Sequence, residues 1–175
     1  MVRVVPSYLR LMPANAPTTA MVLDGSSTRK STGLAIREIM RAPGPLAAAV
    51  AYVTGNPARL LNLGRGRGRD LRLVCEPYAG NCDPAALDAL ERRGAEIWCV
   101  RKLHAKVYVS DAGVAIGSAN LSSGAFDAGT LEALAVLRAP AHVHEAQAWF
   151  DALTRDAQTW RAIKADTLTY RRICA

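Results

Sequence analysis

An imidazole and an ammonium group lie two residues apart in the run HAKVYVS, which spans residues 104–110. Side chains alternate between the faces of a strand, so His104 and Lys106 project from the same face, roughly 6.6 to 7 Å apart. The lysine can neutralise a non-bridging oxygen of a phosphoryl group while the histidine attacks phosphorus. A lysine on a central strand also needs an anion or a carboxylate to offset its desolvation. The pair therefore indicates chemistry on an anionic phosphoryl group.

The segment Gly117-Ser118-Ala119-Asn120 follows soon after this pair. Glycine permits a close approach of the backbone, and Ser118 and Asn120 can donate hydrogen bonds that complete a phosphate cradle. The alternative is that His104 and Lys106 are incidental charges on a solvated edge strand. The spacing of Ser118 and Asn120 after the pair makes that alternative the weaker one.

The elements that must position these side chains alternate between helix and strand. Helix caps at Ser31, Asn56-Pro57 and Asp83-Pro84 predict three helices, over residues 32–41, 57–63 and from 84 to a glycine at 94. Apolar runs bounded by turn residues predict the strands 46–54, 71–76 and 96–100. This order is typical of α/β proteins, in which helical crossovers join parallel strands.

From residue 104 onward the predicted strands are closely spaced, at residues 104–110, 113–118 and 130–137. The short connection at residues 111–113 favours a hairpin between the first two. Apolar residues from Val143 to Leu153 then lie on one face of a closing helix, and the remaining tail is mixed and basic. We predict a single catalytic domain over residues 21–160, an N-terminal extension over 1–20 and a basic C-terminal tail over 161–175.

Composition narrows the class of protein. The chain has 175 residues, half of them hydrophobic, which is the balance of a globular domain, and no run approaches the ~20 apolar residues of a membrane span. Pro6, Ser7 and Arg10 interrupt any signal-peptide apolar region, and Cys75 and Cys99 lie in apolar strands where reduced, buried thiols are common. We therefore expect a cytoplasmic protein, with a zinc site or a disulfide framework as the less favoured reading of its four cysteines.

Positive charge points to an anionic partner. The formal net charge is +7, which favours polyanions through neutralisation of phosphates and release of counterions. Arg65, Arg67 and Arg69 alternate with glycines in a loop that could lay three guanidinium groups along phosphates. A solvated basic loop is an equally good interpretation of that segment.

The pattern His104-x-Lys106-x-x-x-x-Asp111, followed by Gly117-Ser118-x-Asn120, resembles the HxKxxxxD signature of the phospholipase D superfamily. The resemblance implies an α/β fold, phospholipase D-like, with a mixed, largely parallel central sheet flanked by helices on both faces. It implies hydrolysis of a phosphodiester bond by a mechanism that needs no metal ion or other cofactor.

The resemblance also implies roles for single residues. His104 would be the nucleophile and form a phosphohistidine, Lys106 and Asn120 would hold the phosphate, and Ser118 would support the cradle. Asp111 would steady the end of the strand. Glu132 stands where family members carry a carboxylate that is hydrogen-bonded to the nucleophilic imidazole.

Only one such motif is present, because His142 and His144 lie on a predicted surface helix with no lysine two residues after either. One histidine cannot be nucleophile and leaving-group acid in the same step, so the second must come from another copy of the chain. We therefore expect a homodimer with a shared active site.

Nucleic acid, either DNA or RNA, is the expected substrate. Two alternatives stay open: a phospholipase or phosphatidyl transferase with the same chemistry, and a nucleic-acid-binding module with little turnover. A lipid enzyme should show an exposed apolar lip or an amphipathic surface helix, and the sequence shows neither clearly. The intact motif argues against loss of catalysis.

Overall fold

The computed structural model of the protein describes residues 19–24, 31–127 and 130–175. Within them the chain forms an eight-stranded sheet in the order β1-β7-β6-β5-β2-β3-β4-β8. The strands are β1 Thr19–Leu23, β2 Leu46–Val50, β3 Leu71–Cys75, β4 Glu96–Cys99, β5 Lys106–Ser110, β6 Gly113–Gly117, β7 Ala133–Leu137 and β8 Gln158–Thr159. The helices are α1 Thr32–Met40, α2 Pro57–Leu60, α3 Pro84–Glu91, α4 Ser123–Phe126, α5 Pro140–Thr154, α6 Trp160–Ala165 and α7 Thr167–Cys174.

The predicted helix starts are confirmed by their caps. The side chains of Ser31, Asn56 and Asp83 each accept a hydrogen bond from a backbone N–H in the first turn of α1, α2 and α3. Helix α2 is shorter than expected and ends at Leu60, because the backbone reaches a left-handed conformation at Asn62 (φ 53°) before Gly64. Local capping chemistry therefore fixes where these helices begin more closely than where they end.

The sheet is mixed, but the expectation that it is largely parallel is wrong. Only the pairs β2–β3 and β3–β4 are parallel, and the other pairings of the described strands are antiparallel. The helical crossovers through α2 and α3 enforce the parallel pairs. From β5 to β6 the connection is a tight hairpin, and β7 follows antiparallel to β6, so the second half of the sheet has no crossovers to make it parallel.

Helices cover both faces of the sheet, as expected. On one face, α1 and α3 bury Ile36, Ile39 and Leu87 against the sheet in the main core. On the other face, α5 buries Val143 and Phe150 against alternate residues of the central strands. Strand β2 lies between the two layers, and all five of its residues are buried. Apolar side chains of β2 and β5 alternate between the two cores. They thus hold β5, which begins just after His104, at the centre of the molecule.

The ends of the chain extend the domain beyond the predicted limits. Thr19 and Ala20 belong to β1, and the rest of the expected N-terminal extension lies outside the described residues. The expected basic tail forms α6 and α7, which place Ile163 and Ile173 in the main core. None of the helices in the described part of the chain is both long and apolar enough to cross a bilayer.

Candidate active site

The chemistry-bearing residues meet at one edge of the sheet. Because β5 runs antiparallel to β2, the start of β5 lies beside the end of β2, where Lys106 is paired with Val50. On the other side of β5, the end of β6 at Gly117 lies beside the start of β7, where it pairs with Leu134. We call this the carboxyl edge, because the parallel strands β2, β3 and β4 end there. The amino edge is the one at which they begin.

His104 lies on the chain just before β5, which starts two residues later than predicted. Its side chain is exposed, and its imidazole has no hydrogen-bond or ion-pair partner among the described residues. Its main-chain carbonyl accepts a hydrogen bond from Lys106 Nζ at 2.8 Å. The imidazole is therefore available to an incoming substrate.

Lys106 is the buried cation of the site, with only 8% of its surface exposed. Its Nζ lies 5.9 Å from the centroid of the Tyr52 ring and forms no ion pair with any described residue. Burial lowers the pKa of Lys106, and the negative charge of Glu132 opposes part of that shift. A buried ammonium that donates to a carbonyl, lies near a ring face and has no ion-pair partner among the described residues is well suited to a bound anion.

Asn120 faces the site from the turn after β6. Its Oδ1 accepts a hydrogen bond from the backbone N–H of Tyr52 at 3.1 Å, which leaves the amide NH₂ free to donate. Gly117 has no room for a side chain, because a Cβ there would overlap the carbonyl oxygen of Ala133 and lie 2.7 Å from Leu134 Cδ2. Glycine thus lets β7 approach β6 closely where the chain turns toward Asn120.

Glu132 has a different partner from the one expected. Its carboxylate accepts hydrogen bonds from Ser118 Oγ and, at 2.8 Å, from Thr130 Oγ1. Ser118 Oγ in turn accepts from the backbone N–H of Ala133 at 3.1 Å. No hydrogen bond joins Glu132 to His104 in the described structure. The carboxylate therefore acts on the site through Ser118 and through its charge near Lys106.

Tyr52 was not among the residues that the sequence singled out. It follows β2, is 39% exposed, and contacts both Asn120 through its backbone and Lys106 through its ring. Glu76 directly follows β3, where it is buried and accepts hydrogen bonds from Asn81 Nδ2 and the backbone N–H of Lys102. Tyr52 and Glu76 both follow parallel strands, and α/β sheets bind ligands beyond the carboxyl ends of such strands. Their position after predicted strands could therefore have marked them as candidate site residues.

The remaining predicted residues lie at the amino edge. Asp111 follows the far end of β5, where its carboxylate faces the loop at Gly44. Arg65, Arg67 and Arg69 precede β3, and Arg67 is held by the carbonyl of Ala42 and by Asp70. A strand of five residues, ~17 Å, separates this edge from the carboxyl edge. The structure therefore does not bring the arginine loop together with His104.

The cysteines Cys75, Cys82 and Cys99 are free and buried, as expected of reduced core thiols. Hydrogen bonds with the other two thiols and burial raise the pKa of Cys75 well above its ordinary value. In the ranges that the structure describes, no three His, Cys, Asp or Glu side chains converge in a way that could hold a metal ion.

Comparisons with known proteins agree with this geometry. Residues 36–154 match the family described as cardiolipin synthase, PLD-like domain, where PLD stands for phospholipase D. A search of the curated proteins finds no match.

Solved structures share the fold. NucT from Helicobacter pylori is 16% identical, with a TM-score of 0.66, over 81% of this chain and 98% of that one. The phospholipase D family member Nuc from Salmonella typhimurium is 16% identical, with a TM-score of 0.65, over 83% and 99%. Phosphatidylserine synthase from Haemophilus influenzae Rd KW20 is 12% identical, with a TM-score of 0.60, over 82% and 40%. With His104, Lys106, Ser118 and Asn120 gathered at one edge of this fold, the chain belongs to the phospholipase D superfamily, whose fold is that of phosphodiesterases.

Proposed function

We propose that the protein hydrolyses phosphodiester bonds of DNA or RNA through a phosphohistidine intermediate, without a metal ion. The observation that carries the proposal is the contrast between two neighbouring side chains. Lys106 is buried without an ion-pair partner in the described structure, and His104 is exposed without one. A phosphodiester supplies what both lack, because it brings an anionic oxygen to the ammonium and a phosphorus atom to the imidazole.

The first step breaks one bond and forms another. A ring nitrogen of His104 attacks phosphorus, the bond between phosphorus and the leaving oxygen breaks, and the departing oxygen takes a proton from a second imidazole. Lys106 Nζ and the Asn120 amide stabilise the non-bridging oxygens, which carry negative charge throughout. In the second step, a water oxygen attacks phosphorus, the phosphorus–nitrogen bond breaks and releases His104, and the second imidazole takes the proton of the water.

The partner's His104 is our candidate for that second imidazole. His142 and His144 lie at the start of α5, a helix that packs on one face of the sheet, and both are exposed there. Helix α5 packs on the face of β5 that carries Val107 and Val109, whereas Lys106 lies on the face of Tyr108, so these histidines do not flank Lys106. In a two-fold dimer closed around the carboxyl edge, each His104 would serve as the acid for the other.

Nucleic acid is favoured over lipid by charge. The net charge is +7, and Arg101 and Lys102 are exposed immediately before His104. The similarity to phosphatidylserine synthase keeps phosphatidyl transfer as a second candidate. One apolar residue beside the site, Leu131, is 82% exposed, but a single side chain does not make the contiguous apolar lip that a lipid surface requires.

Parallel incubation with labelled DNA, RNA and phosphatidylcholine vesicles, each in excess EDTA, tests both the reaction and the substrate. We expect cleavage of nucleic acid that persists in EDTA and is absent from the His104→Ala variant. Loss of cleavage on chelation, restored by Mg²⁺, would contradict the metal-independent mechanism. Release of choline without cleavage of nucleic acid would assign the site to lipid.

Mixed dimers test the shared site. If each turnover needs two copies of His104, equal co-refolding of wild-type and His104→Ala chains leaves about a quarter of the dimers fully wild type. Activity should then be about half that of the same amount of wild-type chain refolded alone. Unchanged activity per wild-type chain, with exchange verified by mass spectrometry, would contradict a shared site.

A further inference from the structure

A second binding feature lies on the carboxyl edge, where β4 and β8 meet. A pocket of about 460 Å³ opens there, and its lining includes Tyr78, Val100, Arg101, Asp156 and Gln158. Pockets of this size bind small molecules or parts of larger ones. The proposed chemistry at His104 and Lys106 does not use it.

One wall of the pocket is a stacked pair. The guanidinium carbon of Arg101 lies 4.1 Å from the centroid of the Tyr78 ring, within the range of a cation–π contact. The Tyr78 hydroxyl donates a hydrogen bond to Gln158 Oε1 at 2.8 Å, which orients the ring and leaves the Gln158 amide NH₂ free to donate. Arg101 is exposed, so its flat face is accessible to a ligand.

The lining favours a flat, neutral ligand over a phosphate. Val100 and Leu153 supply apolar surface, and the carboxylate of Asp156 would repel an anion. A nucleobase fits this chemistry, because it stacks on aromatic rings and guanidinium planes and carries donors and acceptors along its edge. Gln158 and Asp156 offer the complementary donor and acceptor.

The pocket lies within reach of a strand bound at His104. Arg101 lies three positions before His104 in the chain, so their Cα atoms are at most about 11 Å apart. Successive phosphates of a strand are about 3.4 Å apart along a helix axis and further apart in an extended strand. A base one to three nucleotides from the scissile bond can therefore enter the pocket.

We propose that the pocket beside Arg101 and Tyr78 binds one unpaired base of a single-stranded nucleic acid whose backbone lies at His104. This inference rests on the proposed function and names its substrate more narrowly. A base inside a duplex could enter only after unstacking, so the pocket favours single strands.

Binding to fluorescent single-stranded hexanucleotides, measured by anisotropy in a His104→Ala background, tests the pocket without turnover. One set of hexanucleotides carries an abasic site at each position in turn. We expect Arg101→Gln and Tyr78→Leu to weaken binding of the intact strand by on the order of five- to fifty-fold, the effect of losing one stacked base. One abasic position should weaken binding of the parent by the same factor and should have no further effect in the variants.

Matched variants separate stacking from charge and from folding. Arg101→Lys keeps the charge and should still lose the abasic discrimination, whereas Tyr78→Phe keeps the ring and should retain it. Arg41→Gln removes an exposed arginine at the amino edge and should change the dissociation constant less than about two-fold. Thermal unfolding checks that each variant is folded.

Two results would overturn the proposal that the pocket binds a base. One is a dissociation constant that does not depend on any abasic position. The other is an equal loss for intact and abasic strands in Arg101→Gln, which would make Arg101 a simple phosphate contact. Hydrolysis of bis(p-nitrophenyl) phosphate, too small to span both places, tests the catalytic proposal separately in the chain with intact His104. If that reaction fails, the proposed function fails and the binding experiment still decides the pocket.

Discussion

The two edges of the sheet hold polar side chains in opposite situations. At the amino edge the polar groups are satisfied within the fold: Ser110 Oγ donates to the carbonyl of Ile39, and Arg67 is bonded to Ala42 and Asp70. At the carboxyl edge His104 has no side-chain partner in the described structure, and Lys106 is buried without an ion-pair partner among the described residues. A buried charge without an ion-pair partner costs stability, so Lys106 indicates an edge built for binding rather than for folding.

Replacing His104 tests the contrast between the two edges, and of the changes considered it should have the largest effect. His104→Ala should lower kcat at least about a thousand-fold, because it removes the nucleophile, while nucleic-acid binding through distributed cations stays nearly intact. Steady-state hydrolysis and anisotropy binding measure the two effects. The control is His142→Ala, an exposed histidine on α5, which should keep wild-type activity. A near wild-type rate for His104→Ala would mean that another group is the nucleophile.

Substitution of Gly117 and substitution of Gly64 should have different effects on the stability of the protein. Gly117→Ala places a Cβ against the Ala133 carbonyl and should destabilise the protein by about 2 to 3 kcal/mol, since β7 must move. Gly64→Ala is the matched change toward the amino edge, where the nearest atom to the new Cβ is 3.9 Å away. It should leave stability within about 0.5 kcal/mol of wild type or raise it slightly. Denaturant unfolding measures both, and equal midpoints would contradict the close approach at Gly117.

Much of this arrangement could be predicted from the sequence, because local chemistry determines it. The caps at Asn56 and Asp83 and the buried apolar runs between them predict the crossovers of the parallel half. Strands β1 and β8 and helices α6 and α7 were not predicted. Strand β1 exposes Met21 and β8 has only two residues, so neither carries a periodic signal, and both depend on the strands they pair with.

The site was predicted where it depends on the motif and missed where it depends on contacts distant in sequence. His104, Lys106, Ser118 and Asn120 lie together because a hairpin joins their strands. Tyr52 is part of the site because its backbone N–H donates a hydrogen bond to Asn120, which lies 68 positions later in the sequence. No local sequence pattern predicts such a contact. The expected contact between Glu132 and His104 is absent from the described structure, where the Glu132 carboxylate instead accepts a hydrogen bond from Ser118 Oγ.

The charge of Glu132 at the carboxyl edge should affect the pH dependence of the reaction. Lys106 must be protonated to hold phosphate, burial lowers its pKa, and Glu132 raises it in part. Glu132→Gln removes that support, so the pKa of Lys106 should fall further. The alkaline limb of kcat/KM, which reports the free enzyme, should then move to lower pH. Glu145→Gln, an exposed change on α5, is the control and should leave the limb in place. A shift to higher pH would contradict the assignment of that limb to Lys106.

Arg65 and Arg69 provide the smallest expected effect, and it should depend on the length of the substrate. Neither forms an ion pair in the described structure, and both lie toward the amino edge, which one strand length of ~17 Å separates from the carboxyl edge that holds His104. At about 3.4 Å per phosphate along a helix axis, a strand must extend about five nucleotides beyond the scissile bond to reach them, and somewhat fewer when it is extended. The double variant Arg65→Ala/Arg69→Ala should therefore bind a tetranucleotide as the parent does. With a 20-nucleotide single strand, its plot of log affinity against log salt should be shallower by up to about 1.4, the value for two lost phosphate contacts. Arg65→Lys/Arg69→Lys keeps the charge and should restore the slope. An unchanged slope on the long strand would show that the glycine–arginine loop is a solvated surface, and a changed slope on the tetranucleotide would mean that the two edges are not separated during binding.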